Sequence, residues 1–170
     1  GDTLVVGAQY EDSCSTAIAT VAATDNGCND AGAAYVFAPP CAAGSFADAS
    51  LAVGYCTACP PGTAQPIPGF LPTCNNCSAG EQQPLSGQAV CEACPTGTYA
   101  TFDGQAMCTP CPAGRRQPLT GQSLELSCLY CDAGTFANAS GSAECTPCPD
   151  NHFAGVGATS CTPCFPGFEC

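Results

Sequence analysis

What the 170-residue chain lacks sets the first limits on it. It has no lysine, and two arginines stand against 14 acidic residues, for a net charge of −12. A field of that sign repels nucleic acid and anionic membrane surfaces, so both are excluded as partners. Leu, Ile, Val and Phe together number 25, below the roughly 20% at which a highly charged chain reads as disordered. No large core can be built from them, and most of the 45% hydrophobic content is Ala and Cys, which bury little area each. There is no apolar run of about 18 residues and no basic segment leading into a signal-like hydrophobic one, so no membrane insertion by this segment is expected. The only histidine, His152, has no nucleophile at a meaningful spacing, and no glycine-rich phosphate loop opens a helix. We expect no catalytic residues and no enzyme.

What is abundant is Cys, Gly and Pro, at 18, 19 and 16 residues. An even number of regularly spaced cysteines at this density belongs to secreted or cell-surface chains, where oxidation is permitted. An extracellular location follows, with crosslinks in place of a core. The chain opens on Leu4-Val5-Val6 without an initiator Met, which reads as a mature fragment, or the ordered part, of something longer.

Pro39-Pro40 divides the chain into residues 1–40 and 41–170. In the first region two strand-length apolar segments, 3–8 and 33–37, flank a long loop, and a Cys14–Cys28 bridge would staple it. Asp25-Asn26-Gly27-Cys28-Asn29-Asp30 has the wrong spacing for a calcium loop and reads as an Asx-turn surface loop. No cofactor and no resident metal are expected, calcium there being the remaining alternative.

The second region repeats, and the repeat decides the architecture. Seven CxxC pairs, Cys56/Cys59, Cys74/Cys77, Cys91/Cys94, Cys108/Cys111, Cys128/Cys131, Cys145/Cys148 and Cys161/Cys164, lie between the outlying Cys41 and Cys170. Three positions after each leading Cys comes Gly44, Gly62, Gly80, Gly97, Gly114, Gly134 or Gly167, with Asn151 as the exception. Asn best tolerates the left-handed region among non-glycine residues, so this position needs positive φ. A second glycine follows at Gly69, Gly87, Gly104, Gly121, Gly141 and Gly157. Each unit thus reads as turn, short strand, turn, short strand, with helix nowhere expected. Phe46, Tyr99, Phe136 and Phe153, two residues after the first Gly or Asn, are expected to pack on neighbouring disulfides as miniature cores. Gln83-Pro84-Leu85-Ser86-Gly87-Gln88 and Gln117-Pro118-Leu119-Thr120-Gly121-Gln122 mark a second, polar subtype that would present a different face, or simply a chance similarity within the repeat.

A sequential ladder uses every cysteine of this region: Cys41–Cys56, Cys59–Cys74, Cys77–Cys91, Cys94–Cys108, Cys111–Cys128, Cys131–Cys145, Cys148–Cys161 and Cys164–Cys170. A crossed pairing of adjacent CxxC motifs competes with it, though it leaves an odd pair over. Zinc is the other reading of CxxC, but seven pairs do not divide into four-thiolate sites and an oxidising compartment favours bridges. The expected fold is small, disulfide-rich and mainly β or irregular, an elongated tandem array of short hairpins whose units contact only their neighbours.

Cys94-Pro95-Thr96-Gly97-Thr98-Tyr99 and Cys131-Asp132-Ala133-Gly134-Thr135-Phe136, each leading to a CxxC, resemble the ephrin-receptor-like cysteine-rich repeats of extracellular proteins. They are also similar to the first module of tumour necrosis factor receptor repeats, which implies a bridge from the leading cysteine to the next one downstream. Gly1-Asp2-Thr3-Leu4-Val5-Val6-Gly7-Ala8 with Gly32-Ala33-Ala34-Tyr35-Val36-Phe37 looks like part of an FG-GAP blade of an integrin-type β-propeller. An incomplete blade leaves strand edges to be completed by a missing segment or a neighbouring subunit.

Asn138-Ala139-Ser140 is an N-glycosylation sequon in an expected surface turn, and Asn76-Cys77-Ser78 is a poorer one because its middle residue should be bridged. Prolines and Thr-Pro steps offer further sites for sugar. Asp103, Asp132 and Glu144 read as solvated loop acids. Arg115-Arg116 could meet an acidic patch of a neighbour, though a solvated pair is the plainer reading. The leading functional expectation is a structural subunit of an extracellular filament, appendage or coat, assembled from copies of itself; mastigoneme-like flagellar hairs are a similar class. The alternative is a stalk or ligand-binding module of a receptor ectodomain.

Overall fold

The structure, a computed structural model, describes residues 4–8, 33–37, 39–48 and 55–165. Strand β1 (Leu4–Ala8) pairs antiparallel with β2 (Ala33–Phe37), Leu4 opposite Phe37 and Ala8 opposite Ala33. The loop between them, with Cys14 and Cys28, lies outside the described residues, as does Cys170.

From Cys41 onward the chain is a series of two-stranded antiparallel hairpins. Thr98–Tyr99 pairs with Thr109–Pro110, Thr135–Phe136 with Thr146–Pro147, and the other units follow the same pattern. The second strand of each hairpin is the middle of a CxxC. That explains why proline is tolerated there: in a sheet of two strands every strand is an edge, and a missing N–H costs no ladder bond on the open side. Among the described residues the one 3₁₀ turn, Glu125–Ser127, lies in the Cys111 unit, whose disulfide closes the longest of the seven rings.

Seven disulfides close the units in sequence: Cys41–Cys56, Cys59–Cys74, Cys77–Cys91, Cys94–Cys108, Cys111–Cys128, Cys131–Cys145 and Cys148–Cys161. Their sequence separations run from 13 to 17 residues. Closing a ring of that size removes about 3 kcal/mol of chain entropy from the unfolded state. Cys164 is also disulfide-bonded.

The aromatics do not form the cores. The leading half-cystines Cys59, Cys77, Cys94, Cys111 and Cys131 are fully buried, together with Ala100 and Ala137, whereas Phe153 is 47% exposed and Phe46, Tyr99 and Phe136 are half-buried. The reason is register. Each aromatic lies opposite the threonine of the CxxC strand, as Tyr99 does Thr109 and Phe136 does Thr146, and so packs across a two-residue ladder rather than into an interior.

Candidate functional site

Because the units are too small to bury much, the junctions between them are where the architecture is held, and the leading glycine is the hub of each. In the Cys94 unit, Pro95 to Thr98 form a turn closed by Thr98 N–H on the Pro95 carbonyl at 3.2 Å, reinforced by Thr98 Oγ1 at 2.8 Å. Gly97 is the third residue of that turn with φ +81°, which a side chain adopts only at a cost. Ser45, Thr63 and Thr135 repeat the hydroxyl contact.

The turn leaves the glycine amide and carbonyl pointing at the next unit. Gly97 N–H donates to Gln117 O at 2.7 Å, and Gly97 O accepts from Cys111 N–H at 2.8 Å. Ala100 N–H donates to Gln122 O at 2.9 Å, and Gly121 N–H returns to Cys94 O at 2.8 Å. The same four bonds recur between the Cys59, Cys77, Cys94, Cys111 and Cys131 units, each with its successor. A buried backbone group without a partner costs about as much as a lost hydrogen bond, and here four bonds at each junction are made with the neighbouring unit. Disulfides therefore close units, and backbone bonds join them.

Contact also extends beyond the nearest neighbour, contrary to the expectation from sequence. A Cβ built on Gly44, Gly62, Gly80, Gly97 or Gly114 would meet the carbonyl of Gly87, Gly104, Gly121, Gly141 or Gly157, each in the next unit but one, at under 3.0 Å. The glycine is thus required twice, by φ and by the close approach of a third unit's backbone. Among the described residues nothing lies within 4 Å of the position of a Cβ on Gly134, and the following leading position is Asn151, exposed and at φ 60°.

The polar subtype turns inward rather than outward. Gln83 is 3% exposed and Gln117 2%. Gln83 Nε2 donates to Val90 O at 2.7 Å while its Oε1 accepts Leu85 N–H at 3.1 Å; Gln117 makes the same pair of bonds with Ser127 O and Leu119 N–H. Each amide side chain latches its loop from within, and every buried side-chain polar atom among the described residues is satisfied. A third latch, Gln65 with Thr73 O and Ile67 N–H, was missed in the sequence reading. Its signal was present as Gln65-Pro66-Ile67, obscured because Ile replaces Leu and Phe70 stands where the other two carry Gln. The Cys94, Cys131 and Cys148 units have a buried alanine there, Ala100, Ala137 and Ala154, and the Cys41 unit a half-buried one, Ala47.

The remaining singled-out residues are surface features. Arg115 stacks on Tyr130, 4.2 Å from guanidinium carbon to ring centroid, donates to its hydroxyl at 2.6 Å and lies 3.7 Å from Glu125. It is engaged within its own unit, so Arg115-Arg116 is not the free basic pair that an acidic neighbour would need; Arg116 makes no ion pair among the described residues. His152 is exposed, its Nδ1 3.0 Å from Asp150 O. Asp103 is exposed and accepts the Ala79 amide at 2.8 Å, a contact between units; Asp132 and Glu144 are exposed. Asn138 is exposed just before a turn, whereas Asn76 lies in a strand with its amide group against Gly104, and Cys77 of its sequon is a buried half-cystine. Among the described residues there is no cluster of His, Cys, Asp or Glu able to hold a metal, no free cysteine, and no helix long and apolar enough to cross a membrane.

A search of curated proteins found no match to the chain. The propeller-blade resemblance of residues 1–40 gains no support from the comparisons. The family model described as tyrosine-protein kinase ephrin type A/B receptor-like matches residues 80–125, the Cys77, Cys94 and Cys111 units in large part, and with the disulfides it points to an extracellular or surface cysteine-rich module.

Proposed function

We propose that the chain is a non-catalytic structural segment, a stiff extracellular spacer that serves as a subunit of a filament, appendage or surface coat. The observation that carries this reading is the junction: four backbone hydrogen bonds to the next unit and glycine-to-carbonyl packing against the one after, the packing recurring at Gly44, Gly62, Gly80, Gly97 and Gly114. Units coupled to both their first and second neighbours resist bending more than beads coupled to first neighbours alone. The investment is in continuity from unit to unit. Copies of the chain are the partners this reading requires, and sugars on exposed turns such as Asn138 suit such a surface.

A receptor stalk or ligand-recognition module is the second reading, and the ephrin-receptor-like match over residues 80–125 favours it specifically. Electron microscopy of the native material separates the two: subunits repeating along a fibre support the first, isolated molecules on a membrane the second. Small-angle scattering tests what both share, since a globular chain of this length has a radius of gyration of about 15 Å and an extended array roughly twice that. A value near the globular one would sink the spacer reading in either form.

A further inference from the structure

One position of the repeat is both apolar and outward. Five residues after the leading Gly or Asn stand Ile67, Leu85, Phe102, Leu119, Ala139 and Val156, and the five larger ones are 64%, 62%, 72%, 62% and 71% exposed. These side chains are presented by a fixed backbone: the amides of Ile67, Leu85 and Leu119 are held by the buried glutamines, and that of Phe102 by Gln105 Oε1 at 3.0 Å. The tips carrying them, residues 66–69, 84–87, 101–104, 118–121, 138–141 and 155–157, contain one charged residue, Asp103, whose carboxylate is turned back to the Ala79 amide. On a chain of net charge −12 this is a neutral row.

A single such residue on a surface needs no explanation, but its recurrence at the same position of successive units does. All of it can be covered at once only by a partner whose apolar groups recur at the same spacing, and the array itself has that spacing. Its neutrality lets two like-charged chains approach along it. At roughly 60–120 Å² per large side chain, two facing rows bring together several hundred Å², a weak contact per tip that becomes durable through repetition.

We propose that the tips of Ile67, Leu85, Phe102 and Leu119 form the lateral face on which a second copy of this chain docks, and that the contact ends at the Cys131 unit. There Ala139 replaces the large residue, and the sequon residue Asn138 stands where Pro84 and Pro118 stand in the Cys77 and Cys111 units, so an N-linked glycan on it would cover the row. The inference rests on the assembly reading above and names its surface.

The test copies the natural stop. Pro84→Asn completes a sequon with Leu85 and Ser86, and Pro118→Asn one with Leu119 and Thr120; both prolines are exposed. Secreted protein carrying either new glycan, its disulfide map unchanged, should show a dissociation constant for self-association raised at least about tenfold in sedimentation velocity. Glycosylated variants that associate as tightly as the parent would overturn the row while leaving assembly standing. A parent that stays monomeric at every concentration would overturn both. Benzoylphenylalanine in place of Phe102 gives a readout independent of glycosylation: photo-crosslinks should fall on tip residues of a second copy, and crosslinks confined to other surfaces would reject the proposal.

Discussion

Gly97→Ala separates the two demands made on the leading glycine. The φ of +81° alone costs an L-residue about 1–2 kcal/mol, and the stiffer unfolded chain of Ala returns about 0.4–1 kcal/mol. Gly134, at φ +82° with no described residue within 4 Å of the position of a Cβ, meets only the first demand from the described residues, so in this 170-residue chain Gly134→Ala should lose about 1 kcal/mol. At Gly97 the new methyl would also overlap the Gly141 carbonyl oxygen. That oxygen is backbone and cannot swing aside, so the Cys131 unit must move. The shift strains Gly97 N–H to Gln117 O, Cys111 N–H to Gly97 O and Gly141 N–H to Cys111 O, bonds of 2.7 to 2.8 Å that hold the three units in line. At about 1 kcal/mol each, two or three weakened bonds add about 2–3 kcal/mol to the loss. Native-state hydrogen exchange resolves this locally: protection of the Cys111 amide should fall roughly 30- to 150-fold further in Gly97→Ala than that of the corresponding Cys148 amide does in Gly134→Ala. Equal losses in the two variants would mean that backbone conformation alone requires glycine, and that packing against the next unit but one contributes nothing.

Three further outcomes follow from the same geometry. Gln117→Ala leaves the Ser127 carbonyl and Leu119 amide without their buried partner and should cost about 1–3 kcal/mol in denaturant unfolding with the disulfides intact, whereas the exposed latch neighbour Leu119→Ala should cost little. Arg115→Ala should cost less than about 1 kcal/mol, because Glu125 is 61% exposed and the pair is screened; a larger, salt-independent loss would reveal that stacking on Tyr130 matters more than charge. Peptide mapping should find sugar on Asn138 and none on Asn76, whose side chain already packs on a neighbouring tip; glycan on Asn76 would mean that modification precedes folding of the Cys77 unit.

The architecture was legible because it is written in residues with few alternatives. Cysteine spacing gave a tandem of small rings, and the glycine three residues on, with its exchange for Asn151, announced a left-handed backbone. What spacing cannot express is the approach of units two apart: Gly44 and Gly87 look like members of separate turns until their backbones are seen to touch. The glutamines misled for a related reason. Gln is normally a surface residue, and only the local need to satisfy a loop amide and carbonyl without water turns Gln83 and Gln117 inward. Aromatics misled in the opposite sense, since a two-residue strand gives Tyr99 a partner across the ladder but no interior to fill. The row of exposed apolar tips was readable as letters, yet it meant nothing before exposure was known.

Closing every ring also fixes how far the array can be stretched. Along the covalent path of the oxidised chain, the Cys94–Cys108 bridge spans 5.8 Å between Cα atoms, and the step from Cys108 to Cys111 adds about 10 Å when fully drawn out. One unit therefore cannot exceed about 16 Å, even with all its hydrogen bonds broken. With the bridge reduced, the same 17 residues from Cys94 to Cys111 reach about 56–61 Å. The two kinds of bonding thus act on different ranges of load. Backbone bonds and glycine packing set the stiffness near the resting length, where the junction must open before anything lengthens. Once junctions have opened, the rings halt extension at under a third of the reduced contour, and the junctions re-form from units that never lost their shape. A hydrophobic core of ordinary size could supply the first property but not the second, so a thin extracellular chain that bears load gains from having traded one for the other.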